Sequence, residues 1–120
     1  MRKSFLSLVL SSAFLLINVS ASLAQNKKNE IHVALDLVKV NNDRVSVTIT
    51  PPKIKTNETT FFLPKIVPGT YSEDDYGRYV ENFKAYDAKG KELSVAKMDE
   101  NSWVIKDAKK LAKVTYFIND

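Results

Sequence analysis

Between Leu63 and Arg78 the sequence gathers aromatic, acidic and basic side chains into one stretch: Leu63-Pro64-Lys65-Ile66-Val67-Pro68-Gly69-Thr70-Tyr71-Ser72-Glu73-Asp74-Asp75-Tyr76-Gly77-Arg78. It fits neither a strand nor a long helix. Pro68-Gly69 sets a tight turn, with φ fixed at the proline and free at the glycine. Tyr71, Tyr76 and Tyr79 follow, interleaved with Glu73, Asp74, Asp75 and Arg78. Each tyrosine offers a flat apolar body and a polar tip, so the loop can form a recognition surface. The contact candidates are Pro68, Gly69, Thr70, Tyr71, Asp75, Tyr76 and Arg78. The same residues also read as a structural cap, with the tyrosines closing one end of a core and Arg78 paired to Asp74 or Asp75. Composition and spacing alone favour that second reading.

Much other chemistry is excluded by composition. The chain has 120 residues, one His and no Cys. Without cysteine there is no disulfide scaffold, thiolate zinc site, thiol nucleophile or lipoprotein anchor. His32 lies in an alternating run with no second histidine four residues on, and reads as a surface or edge residue and not a metal ligand. Lys+Arg total 18 against 14 Asp+Glu, a net charge of +4. The signs are interspersed, so nucleic acid is not an expected partner. Lys109, Lys110 and Lys113 read as a solvated strand edge.

The elements that must hold the loop are strands. Residues 1–24 read as a cleaved signal peptide: Met1-Arg2-Lys3, an uncharged run from Phe5 to Val19, and Ser22-Leu23-Ala24 with small residues at the cleavage positions. The apolar run is shorter than the ~20 residues a bilayer span needs. No stable membrane anchor is expected once it is removed, and the working domain is residues 25–120, periplasmic or secreted.

Ile31, Val33, Leu35 and Leu37 alternate with polar or small residues, as in a half-buried strand. The parity changes at Leu37-Val38, which a bulge would explain. Asn41-Asn42-Asp43 turns the chain into Val45, Val47 and Ile49, completing a hairpin that Pro51-Pro52 ends. Thr59 to Leu63 is β-prone, and adjacent Phe61-Phe62 imply cover on both faces. Asn82–Asp87 and Glu92–Met98 form a second hairpin around Ala88-Lys89-Gly90-Lys91. After the turn Asp99–Ser102 come Trp103–Ile105 and Leu111–Ile118. The fold class is all-β, an antiparallel β-sandwich-like domain of about seven short strands. Its expected core includes Trp103, Phe83, Val45 and Val47. The last strand runs almost to the final residue, so the domain reads as incomplete at that end.

The ordered series Leu63-Pro64, Pro68-Gly69-Thr70-Tyr71 and Asp75-Tyr76-Gly77-Arg78 resembles the N-terminal domain of the glycyl aminopeptidase family. These are thermolysin-like (gluzincin) zinc metallopeptidases with a PDZ domain. The likeness continues through Val80, Phe83-Lys84-Ala85, Asp87, Gly90-Lys91-Glu92-Leu93, Lys97-Met98-Asp99, Asn101-Ser102-Trp103 and Val114-Thr115-Tyr116. Lys65-Ile66-Val67 departs from it, lacking the Trp that many members carry. The resemblance implies a non-catalytic β domain that packs on a zinc catalytic domain and shapes its substrate cleft. Tyr71 and Arg78 would then lie together at one end of the sandwich, facing that domain or a peptide. Zinc is expected only in the catalytic domain, since this sequence has no His-Glu-x-x-His. The chain alone is expected to be inactive and to hold no cofactor. The other reading is a free-standing envelope β-sandwich that binds a peptide, glycan or partner protein.

Overall fold

The computed structural model describes residues 29–119; the expected signal peptide, residues 1–24, lies outside them. Eight strands form two antiparallel sheets: β1 (His32–Asn41), β2 (Arg44–Thr50), β3 (Glu58–Phe62), β4 (Val80–Asp87), β5 (Glu92–Leu93), β6 (Val95–Asp99), β7 (Ser102–Lys106) and β8 (Leu111–Asn119). The larger sheet has the order β1-β2-β8-β4-β5 and the smaller β3-β7-β6. The all-β, two-sheet expectation therefore holds.

Local chemistry explains the first hairpin. Asn42 and Asp43 both have positive φ, 52° and 58°. These residue types tolerate it, and a two-residue turn of this hand matches the twist of paired strands. The expected bulge is present, with the β1–β2 register slipping between Asp36 and Asn41. Its cause is the Asp36 carboxylate, which accepts the backbone N–H groups of Val38 and Lys39, each at 3.1 Å. Those amides are thereby diverted from the ladder. In the second hairpin Gly90 takes φ 82°, as the turn required.

The run Glu92–Met98 is not one strand. It breaks at Ser94, so that Leu93 joins the larger sheet and Val95 the smaller. The Ser94 carbonyl accepts the N–H of Lys106 at the corner. A strand that changes sheets in this way closes one side of a sandwich.

Between the sheets lie buried Val47, Ile49, Ala85, Leu93, Ile105, Val114 and Tyr116. Four aromatic rings connect them: Phe83 stacks on Trp103 at 4.9 Å, while Phe61 lies 5.2 Å from Phe83 and 5.8 Å from Tyr116. Of the expected core residues, Trp103 and Val47 are buried, and Phe83 and Val45 are half-buried. A bulge in β4 between Glu81 and Lys84, with Asn82 at φ 51°, sets Phe83 and Ala85 in this core. Outside the core, Glu81 takes a salt bridge from Arg44 at 2.9 Å and a hydrogen bond from Asn119 at 2.8 Å, tying β4, β2 and β8 at one end.

Three expectations are corrected. β1 is not half-buried: Val33 is 59% and Leu35 54% exposed, although their register partners are Ile49 and Val47. The smaller sheet does not reach over this edge strand. Phe62 is 69% exposed, so β3 is covered on only one face. Lys113 is not on a strand edge, because β8 is the middle strand of its sheet; the Lys113 ammonium lies 5.2 Å from the Tyr86 ring centre. Lys109 and Lys110 are exposed in a short 3-10 turn before β8.

Candidate functional site

The loop from Leu63 to Arg78 is folded back on itself. At its start, the Leu63 N–H donates to the Asn101 carbonyl at 2.9 Å. At its far end the N–H groups of Asp74 and Asp75 both donate to the Lys65 carbonyl, at 3.0 and 3.1 Å, and that of Tyr76 to the Pro64 carbonyl at 3.2 Å. A Lys65–Glu73 salt bridge of 3.1 Å crosses the same neck. The tip is the turn at Pro68-Gly69. Gly69 has φ 95°, and Thr70 closes the turn by donating both its N–H and its hydroxyl to the Val67 carbonyl.

At the base, the 3-10 turn Tyr76–Tyr79 is docked on the β6–β7 turn by one side chain. Asn101 donates from Nδ2 to Asp75 Oδ1 and accepts the Gly77 N–H at Oδ1, both at 2.9 Å. The contact is close because Gly77 has no side chain: a Cβ there would lie 1.9 Å from the Glu100 carbonyl oxygen. The β6–β7 turn is itself braced by Asp99, whose carboxylate accepts the Asn101 N–H at 2.8 Å. Hydrogen bonds from Ser102 and then from Asn101 hold that carboxyl below its ordinary pKa. Its contribution to stability is therefore present at neutral pH and is lost as the pH falls through the depressed value.

Asp74 accepts hydrogen bonds from the Ser72 hydroxyl at 2.8 Å and the Tyr76 hydroxyl at 3.3 Å. Partial burial, with the Asp74 charge second, pushes the Tyr76 phenol pKa up. Arg78 does not pair with Asp74 or Asp75, as the structural-cap reading required. Its guanidinium lies over the Tyr79 ring, 4.6 Å from the centre, and donates to the Tyr79 hydroxyl. That hydrogen bond raises the Arg78 pKa further, so the group is always cationic.

The fold thus joins Asp74, Asp75, Tyr76, Arg78 and Tyr79 into one cluster. Pro68, Gly69 and Thr70 form the tip instead. Tyr71 is fully exposed with φ 57° and packs against neither Arg78 nor any other described side chain. Sequence reasoning missed Asn101, treated there as an ordinary turn residue. Replacing Asn101 with alanine removes two partners at once. It is expected to cost about 1–3 kcal/mol by leaving the part-buried Gly77 N–H and Asp75 carboxylate unmet. Urea unfolding of the variant against the parent measures this.

Also missed was an apolar cavity of about 240 Å3 under the loop, lined by Leu63, Pro64, Val67, Tyr76, Tyr79, Val80, Tyr116 and Ile118. A wider, more polar depression of about 730 Å3 lies where β4 and β5 face β6, and includes Phe83, Glu92, Lys97 and Trp103. Neither has the make-up of a metal centre. His32 is exposed and 3.8 Å from Glu30, and among the described residues no group of three or more His, Asp or Glu side chains could hold a metal ion. The residues present therefore do not fit the zinc that the resemblance associates with the catalytic domain.

The two-sheet fold is shared by a solved structure, an aminopeptidase N family protein from Idiomarina loihiensis. The match has a TM-score of 0.67 and 20% identity, and covers 75% of this chain and 15% of that one. That likeness is one of fold, and this chain spans only a small part of that protein's length. The chain belongs to the Peptidase M61 N-terminal domain family, whose model matches residues 32–120. No curated protein matches it.

Proposed function

We propose that this chain is the non-catalytic N-terminal domain of a glycyl-aminopeptidase-type M61 zinc peptidase with a PDZ domain, that it packs on the catalytic domain, and that the Leu63–Arg78 loop forms part of the substrate cleft wall. The first 24 residues would direct it to the periplasm or outside the cell. The observation that carries the reading is how the loop is held. Its base is fixed to the β6–β7 turn through Asn101, while Tyr71 and Arg78 remain exposed. A loop positioned by a fixed scaffold, with unspent aromatic and cationic side chains, is suited to contact.

The test separates contact from support. Tyr71→Phe and Arg78→Lys are expected to leave the melting temperature of this chain within about 3 °C of the parent, because both side chains are exposed. Placed in a complete M61 peptidase, the Arg78 change is expected to lower kcat/KM by about tenfold, as loss of a two-pronged contact does. A destabilised chain with normal kinetics in the complete enzyme would refute the reading.

A further inference from the structure

Among the described residues, Arg78 is a cation that feels the charges of Asp74 and Asp75 but has no carboxylate within salt-bridge distance. The three carboxylates nearest in sequence are engaged elsewhere, Asp74 by Ser72 and Tyr76, Asp75 by Asn101, and Glu81 by Arg44 and Asn119. The Arg78 guanidinium is held by Tyr79, through the hydroxyl and over the ring, and Tyr79 is also a wall of the apolar cavity under the loop. A positioned guanidinium and an apolar recess therefore share one aromatic side chain.

The dimensions narrow the ligand. At about 240 Å3 the cavity lies below the ~300–1,000 Å3 of ordinary small-molecule sites, so it suits one side chain and not a length of chain. Its lining is almost wholly apolar, which selects an aliphatic or aromatic group. The planar, forked guanidinium matches a carboxylate. An apolar side chain and a carboxylate borne on the same carbon is the chemistry of a peptide's last residue.

We propose that the cavity and Arg78 form a subsite for the C-terminal residue of a peptide, the side chain entering the cavity and the terminal carboxylate pairing with Arg78. This rests on the reading that the loop faces peptide, and adds which part of the peptide it holds.

The experiment titrates the full chain with N-acetyl-leucine, N-acetyl-leucinamide and N-acetylglycine, following amide chemical shifts. N-acetyl-leucine is expected to bind saturably and to shift signals of Val67, Tyr79 and Ile118. The amide, lacking the charge, and the glycine derivative, lacking the side chain, are each expected to bind about tenfold more weakly. Arg78→Gln should abolish the preference for acid over amide, and Val67→Asp should weaken N-acetyl-leucine binding by a similar factor. The spectrum of each variant, compared with the parent, shows that the fold is kept. Absence of saturable binding, equal binding of acid and amide, or an unchanged preference in Arg78→Gln overturns the proposal. Association with a separately produced M61 catalytic domain reads the docking function independently. N-acetyl-leucine binding without association overturns docking alone, and association without N-acetyl-leucine binding overturns the subsite alone.

Discussion

Truncating Trp103 to alanine is expected to remove a large share of the domain's margin of stability. The indole is 4% exposed, stacks on Phe83 at 4.9 Å and 13°, and has the Lys97 ammonium 5.4 Å from its ring centre. Phe61, paired with it across β3 and β7, lies 6.1 Å away. Removing a buried aromatic of this size costs about 3–5 kcal/mol, because neighbours relax only partly into the space. Small domains have roughly 5–15 kcal/mol in total. The expected shift is a melting temperature lower by about 15 °C or more. Trp103→Phe, which keeps a ring on Phe83, should lose much less. Circular dichroism melts of both variants measure this, and a Trp103→Ala protein that melts cooperatively near the parent temperature would show that the stack does not support the fold.

The second large effect is expected at Gly77, for a different reason. Its φ is not in the left-handed region, so backbone freedom is not what a side chain would disturb. Space is. A Cβ at Gly77 would meet the Glu100 carbonyl oxygen at 1.9 Å and the Asn101 Cα at 2.7 Å. Both are backbone atoms, and moving them pulls Asn101 away from Asp75 and Gly77. Gly77→Ala should therefore cost about 1–3 kcal/mol or more, at the upper end of overpacking. It should also expose the amides of Asp74, Asp75 and Tyr76 to hydrogen exchange. Gly69 is the control: it needs positive φ but has open space around it, so alanine there should cost only ~1–2 kcal/mol. Equal exchange protection in Gly77→Ala and the parent would show that the loop does not depend on this contact.

The sequence made the hairpins readable because two local signals agree. Val45, Val47 and Ile49 keep one parity, and Asn42-Asp43 can adopt the turn their pairing needs. What it could not convey is reach. Val33 and Leu35 carry the pattern of a covered face, yet whether the smaller sheet extends that far depends on how many strands it has. The break at Ser94 is equally silent, since nothing in Glu92–Met98 marks a change of sheet. For the candidate site, the loop was legible from its dense tyrosines and charges. Its anchor was not, because Asn101 lies 24 and 26 residues from its two partners, Gly77 and Asp75. The cavity joins Leu63 to Ile118, which only the closed sandwich brings together. The pairing of Arg78 with a nearby Asp was a reasonable inference from spacing; stacking on Tyr79 prevailed because it is adjacent and the two carboxylates already had partners.

The central position of β8 bears on how the chain reaches this state. β8 is the last of the described strands and pairs with β2 on one side and β4 on the other. Arg44 meets Asn119 at the end of that ladder, a separation of most of the domain's length. As the polypeptide leaves the ribosome, the β1–β2 hairpin and β4 have no partner for their facing edges until β8 has emerged. Assembly must then close a long loop in a single late step, which makes folding slow for a chain of this size. Until that moment the molecule is an open chain with apolar strand faces, dependent on whatever keeps nascent polypeptides from aggregating.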